Sequence, residues 1–384
     1  MRFDFATVTK IIFGAGTLKE LEKLLPHYGT RAFVVTGSKP ERAASLCSLL
    51  DAQKIDYTVF PATGEPTVED ARRGVALARE ANCDFVIGIG GGAVIDTGKA
   101  ISALLTNPGD PRDYLEVIGN SKALQNPAAP FIAIPTTAGT GAEVTSNAVL
   151  ASPEHNVKVS LRSPLMLPRL ALVDSTLTHT APPQITAQSG LDAITQVLEP
   201  FVSNKANPLT DALCRDGLGG AARSLLRAYQ QPDDAAARED MALVSLFGGL
   251  ALSNAKLGAV HGFAGPFGGM FDAPHGGICA RLLPFVMDAN IRALHARQPD
   301  SDALRRYGEI AQRLTGRADA VAQDGVRFVH DLCAAMQIAP LSVYGCTQAD
   351  FPSLIEKSAV ASSMQGNPIK LTVEEMHQIL AAAL

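Results

Sequence analysis

Gly88-Ile89-Gly90-Gly91-Gly92-Ala93-Val94-Ile95-Asp96-Thr97-Gly98-Lys99 starts at the end of an apolar run, Asp84–Ile89, and opens a helical pattern. Glycines at such a turn let backbone N–H groups approach an anion, and the helix N-terminus adds partial positive charge, so a pyrophosphate fits. Residues 88–93 match the G-x-G-x-x-A form of the dinucleotide fingerprint. The match follows the third expected strand instead of the first, and no acidic residue ends the next strand. A plain strand-to-helix turn therefore stays open as a reading.

Outward from this turn, Arg31–Thr36, Tyr57–Phe60, Asp84–Ile89, Pro130–Pro135 and Leu170–Asp174 read as strands. Helical patterns at Glu41–Gln53 and Val68–Ala81 alternate with them. Continuous apolar strands alternating with helices predict a parallel sheet covered on both faces. A second loop, Pro135–Ser146, carries five hydroxyl side chains and two glycines in twelve residues. Its hydroxyls suit a ribose or an amide, or they cap a helix. Two such loops at the ends of neighbouring parallel strands point to the ligand crevice of an open sheet.

Pro182-Pro183 marks a break, beyond which the chain reads as all-helical. Helices are expected at Gln184–Ser203, Pro208–Tyr229, Ala235–Ala264, Asp302–Thr315, Asp319–Met336 and Gln348–Ala359. A length of 384 residues exceeds what one core usually holds and suits two domains, 1–180 and 181–384, with a cleft between them. Hydrophobic residues at 47% and charged residues at 18% exclude extensive disorder. The net charge of −5 offers no basic stripe for nucleic acid and leaves a small molecule as the expected ligand. No apolar run has the length of a signal core or membrane span, so the expected location is the cytoplasm. Six cysteines without a C-x-x-C pair argue against a thiolate cluster or redox motif, although Cys279 stands four residues after His275.

The helical half carries Asp192 and Gln196, spaced i and i+4 so that they share a helix face, followed by His261 and His275. Taken singly, these residues read as surface, interior or turn groups; taken together, they suggest a catalytic site and a possible metal site.

With the N-terminal Phe13-Gly14-Ala15-Gly16, the glycine loop ending in Asp96 and Lys99, Pro135–Glu143, Ser189–Ala193, Pro274-His275-Gly276 and Gly366-Asn367-Pro368, the chain resembles the iron-containing (group III) alcohol dehydrogenase family over almost its whole length. The resemblance implies an N-terminal Rossmann-like α/β domain, an all-α C-terminal domain of the dehydroquinate synthase-like fold, a nicotinamide dinucleotide between them, and a homodimer. It maps the ligands of one Fe²⁺ or Zn²⁺ onto Asp192, Gln196, His261 and His275, the second being a glutamine where the family has histidine. A further family histidine, four residues after His261, is here Gly265. The resemblance also places Lys158 near the nicotinamide ribose, where it becomes a candidate proton donor beside bound water and the cofactor ribose.

The expected cofactor contacts are Gly37, Ser38, Lys39, Gly90, Gly91, Gly92, Asp96, Thr136, Thr137, Thr140 and Lys158, and the expected catalytic groups are Asp192, His261, His275 and Lys158. Gly37 stands where an acidic residue would repel a 2′-phosphate, which mildly favours NADP(H) and leaves NAD(H) open. The leading expectation is an NAD(P)-dependent dehydrogenase of alcohols, aldehydes or ketones. A metal-free oxo-acid reductase of the maleylacetate reductase type and a catalytically silent dinucleotide-binding relative are the alternatives.

Overall fold

The alternation of apolar strands and helices up to His179 builds a six-stranded, wholly parallel sheet in the computed structural model, which describes residues 2–384. The strands of the chain are β1 (Ile11–Phe13), β2 (Arg31–Thr36), β3 (Asp56–Pro61), β4 (Phe85–Gly90), β5 (Phe131–Pro135), β6 (Asn147–Ser152), β7 (Val157–Arg162) and β8 (Leu170–Val173). The sheet order is β3-β2-β4-β5-β8-β1, and β6 and β7 form a separate antiparallel pair. Helices α1 (Leu21–Leu24), α2 (Ala44–Ala52), α3 (Val68–Glu80), α4 (Gly92–Thr106) and α5 (Pro111–Tyr114) complete this unit, which comprises Thr7–Thr137 and Gly141–His179.

The two-residue period of the strands explains why they are apolar throughout. Phe33, Val35, Val86, Phe131 and Ala133 pack with Val75 of α3 and Ile101 of α4. Their neighbours Ala32, Val34, Phe85, Ile87, Ile132 and Ile134 pack on the other side with Leu21 of α1 and Leu46 of α2. Register aligns the carboxyl ends of three strands, with Thr36 opposite Ile89 and Gly90 opposite Pro135. The chain reverses its direction of sheet growth between β2 and β4, the kind of switch point where open α/β sheets bind ligands.

The second unit, Ala138–Thr140 and Thr180–Leu384 with residues 2–6, has only helices as regular elements. They are α6 (Pro183–Val202), α7 (Pro208–Gln230), α8 (Ala235–Ala255), α9 (Ala259–Met270), α10 (His275–Arg297), α11 (Asp302–Thr315), α12 (Ala322–Ala335), α13 (Phe351–Ala359) and α14 (Val373–Ala383). From Thr186 onward α6 is buried at every position but Ser189, the mark of a helix with neighbours on all sides.

Two sequence expectations change here. The continuous helix expected over Ala235–Ala264 is two helices bent by 97°, because Lys256 takes φ +60° and the first N–H groups of α9 find acceptors elsewhere in the fold. His275, read as a turn residue, instead begins the 23-residue α10. Among the described residues, no single helix is long and apolar enough to cross a membrane.

Candidate functional site

Asp192, Gln196 and Glu199 lie along one face of α6 at i, i+4 and i+7, and all three are buried. Gln196 Nε2 donates to Asp192 Oδ2 at 2.9 Å. A carboxylate only accepts, so this contact assigns the NH₂ end of the amide to Asp192. Gln196 packs beside Gly248 of α8, where a Cβ would come within 2.9 Å of Gln196 Cβ.

His261 is aimed by the break between α8 and α9. Glu199 Oε1 accepts from Val260 N–H at 2.7 Å, and Asn367 Oδ1 accepts from Ala259 N–H at 3.1 Å, so two orphan donors of the new helix start are satisfied. Glu199 Oε2 then lies 2.7 Å from His261 Nδ1, which turns Nε2 toward Asp192 Oδ1 at 3.3 Å. A carboxylate holding one imidazole nitrogen while the other faces the site is the usual support of a metal-binding histidine.

His275 Nε2 stands 3.8 Å from the same Asp192 oxygen, and the rings of His261 and His275 are 5.4 Å apart. One turn along α10, the fully buried Cys279 places Sγ 3.6 Å from His275 Nε2 and 3.8 Å from His261 Nε2. The ligand atoms of Asp192, His261, His275 and Cys279 all lie within 4.8 Å of one another.

The electrostatics favour positive charge in this pocket. Burial alone would raise the Asp192 pKa, but His275 and His261 hold it below the usual carboxylate range. Burial alone would lower both histidines, yet Cys279 and Asp192, joined at His261 by Glu199, raise them. Asp192 Oδ1 and Gln196 Oε1 are nevertheless buried without a hydrogen-bond partner. One carboxylate, two imidazoles and a thiol around an unsatisfied oxygen form a donor set that fits Fe²⁺ or Zn²⁺.

In the sheet unit, Gly91 caps α4, and Gly90 stands where a Cβ would meet Val94 at 2.5 Å. Gly88 and Gly98 have a packing role, since a Cβ on either would press on Phe131. Thr136 N–H donates to Gly90 O at 2.9 Å and Thr137 faces Gly91, which joins the two expected loops. Gly37, Ser38 and Lys39 follow the end of β2. Thr140 falls in the helical unit, whereas Thr136 and Thr137 fall in the sheet unit.

Asp96 and Lys99 are committed within the sheet unit. Asp96 Oδ2 accepts from Val149 N–H, and buried Lys99 pairs with Asp96 and donates to Thr145 Oγ1 and Asn147 O. Lys158 lies on β7 with Nζ 3.3 Å from Glu65 Oε2. Sequence reasoning missed Glu199, whose signal was its place one turn past Gln196, and it singled out Asn367 only within the Gly366-Asn367-Pro368 motif, without its role.

Two family models span the chain: iron-containing alcohol dehydrogenase over residues 8–175, and the C-terminal model of the Fe-containing alcohol dehydrogenase family over residues 186–384. Alcohol dehydrogenase 4 of Saccharomyces cerevisiae is 31% identical over 377 residues, covering 97% of this chain and 96% of that protein. The 1,3-propanediol dehydrogenase of Citrobacter freundii is 34% identical over 396 residues, with 99% and 98% covered. A crystal structure of 1,3-propanediol oxidoreductase superposes with TM-score 0.92 at 30% identity over the full length of both chains. Sulfoacetaldehyde reductase from Bifidobacterium kashiwanohense in complex with NAD⁺ gives 0.86 at 26% identity, covering 100% of this chain and 99% of that one. With both halves matched in order and relatives aligned end to end, the chain belongs to the iron-containing alcohol dehydrogenase family.

Proposed function

We propose that the protein is an NAD(P)-dependent oxidoreductase that interconverts a small alcohol and its aldehyde or ketone at a divalent metal centre. The observation that carries this reading is the convergence of Asp192, His261 and His275 from three helices around an unsatisfied buried oxygen, in a chain of this family. Asp192, His261 and His275 are the residues that would hold Fe²⁺ or Zn²⁺, with Gln196 and Cys279 beside them. The cation, when bound, supplies a Lewis acid for the carbonyl oxygen at the point where hydride is exchanged with the nicotinamide.

The protein's own groups do the rest. Glu199 orients His261 through Nδ1. The N–H groups of Gly90, Gly91 and Gly92 with the start of α4 receive the pyrophosphate. Thr136, Thr137 and Thr140 offer hydroxyls to the ribose or the amide. Asp96 acts by holding the β6–β7 pair in place through Val149. Gly37, Ser38 and Lys39 leave room for a 2′-phosphate, which favours NADP(H). We assign Lys158, held by Glu65, to the ribose of the nicotinamide; with glycine at 265, the proton comes from water, that ribose or Lys158. The sheet unit, which lies within 1–180, is the dinucleotide half, and 181–384 carry the metal and substrate half of a protein that works as a homodimer.

Purified protein is expected to reduce short aldehydes with NADPH, faster than with NADH, and to lose this activity on chelation and regain it with added Fe²⁺ or Zn²⁺. Turnover that survives complete metal removal would favour a metal-free reductase, and tight cofactor binding without hydride transfer to any aldehyde would rule out the enzyme. Glu199→Gln leaves a single acceptor oxygen for two buried donors, His261 Nδ1–H and Val260 N–H. Competition with a chelator should show metal affinity reduced about 10–100-fold, and an unchanged affinity would show that Glu199 does not position His261.

A further inference from the structure

We propose that Cys279, and not Gln196, is the fourth metal ligand, so that the centre is an Asp/His/His/Cys site. The inference rests on the metal reading above and adds to it the identity of one donor.

Separation of the donors is the first argument. In a tetrahedral site with metal–N and metal–O bonds of 2.0–2.1 Å and a metal–S bond of 2.3 Å, neighbouring donors stand about 3.3–3.6 Å apart. Of the six separations among the four donors, all within 4.8 Å, Asp192 Oδ1 lies 3.3 Å and 3.8 Å from the two imidazole nitrogens, and Cys279 Sγ lies 3.8 Å and 3.6 Å from the same nitrogens. Two of these separations fall in the tetrahedral range and two exceed it by 0.2 Å, so closure on a cation asks only a small adjustment of the side chains.

The second argument is the unsatisfied Asp192 Oδ1. Asp192 is 1% exposed, and this oxygen has no hydrogen-bond partner although it faces both imidazoles. A buried anionic oxygen left without a donor costs free energy, which a bound cation offsets. Its other oxygen is held by Gln196 Nε2, so the glutamine acts as the positioning residue that turns Oδ1 into the cluster. Gln196 Oε1 is also buried without a partner, and it is the donor that competes with Cys279.

The third argument is helix geometry. His275 and Cys279 are i and i+4 on α10, so one face delivers both donors. A thiolate in place of a neutral amide adds a second anionic ligand and shifts selectivity toward zinc. Binding breaks the Cys279 S–H bond and forms an S–metal bond, with the proton leaving to solvent; nothing is oxidised or reduced.

The test is zinc-edge X-ray absorption on the zinc-loaded full-length protein, preceded by metal analysis of the same sample. The wild type should hold one zinc with a single sulfur scatterer at about 2.3 Å beside nitrogen and oxygen at about 2.0–2.1 Å. Cys279→Ser should lose the sulfur shell and bind zinc more weakly by more than the about 10–100-fold cost of an outer-shell partner, whereas Gln196→Ala should keep the sulfur. A wild-type site with zinc but only nitrogen and oxygen neighbours overturns the Cys279 assignment and leaves the metal reading standing. A wild type that retains no zinc, iron or other divalent metal overturns both. The wild-type spectrum decides the matter even if Cys279→Ser fails to fold.

Discussion

Asp192→Asn is expected to yield a folded protein with substoichiometric metal and a kcat/KM lower by about 10³-fold or more, the equivalent of about 4 kcal/mol of transition-state stabilisation. Asparagine keeps the shape of the side chain and an oxygen able to accept from Gln196 Nε2, so packing around α6 survives. What disappears is the one carboxylate that faces both imidazoles. Asp192 is fully buried, and its charge is held by His261 and His275 in preference to solvent. Removing the charge therefore leaves two imidazoles without their shared anion and makes the pocket less hospitable to a cation. Metal analysis, circular dichroism and turnover on one preparation separate the outcomes. A variant that is folded, metal-depleted and inactive is the expected result. One that keeps full activity would rule out chemistry dependent on Asp192, and one that keeps its metal but loses activity would move Asp192 from ligation to substrate alignment.

How far such residues can be seen in the sequence depends on how local their causes are. Arg31–Thr36 is recovered to the residue as β2, because a buried parallel strand must be apolar on both faces and short. β1 escapes because three residues show no period, and its pairing with β8 lies about 160 residues away in sequence. The β6–β7 pair alternates in burial at Asn147–Ser152, but Ala148–Ala151 are apolar throughout, so the sequence shows no two-residue period there. Within the site, Asp192 and Gln196 were legible as an i, i+4 pair, and His275 and Cys279 were noted at the same spacing. The role of Gln196 was not legible, because sequence cannot say which end of an amide meets which neighbour. The turn between α8 and α9 was also out of reach. Ser253, Asn254, Lys256 and Gly258 mark a local break in the apolar pattern, but the acceptors that start the second helix, Glu199 and Asn367, come from residues 61 and 108 positions away.

That turn carries the second large effect. Gly366→Ala is expected to destabilise the protein by about 3 kcal/mol or more and to reduce metal binding in whatever folds. A Cβ at position 366 would stand 2.0 Å from Leu257 O and 2.9 Å from Lys256 Cβ, and the first of these neighbours is backbone that cannot swing aside. Relief requires the segment Met364–Gly366 to part from the Lys256–Gly258 turn. Asn367 follows immediately, and its side chain links Ala259 N–H at the start of α9 to Asn290 on α10. Displacing Asn367 leaves a buried helix N–H without its acceptor, a further cost of about 1–3 kcal/mol. It also frees α9 to rotate, and His261 is the third residue of that helix. Thermal melting should show a large drop in Tm, and chelator competition on the residual folded fraction should show weaker metal binding. Gly265→Ala on the same helix is the control. A Cβ there meets nothing within 4 Å, so its Tm should stay near that of the wild type. If Gly366→Ala melts like this control and binds metal as the wild type does, the close approach at Leu257 is not what aims His261.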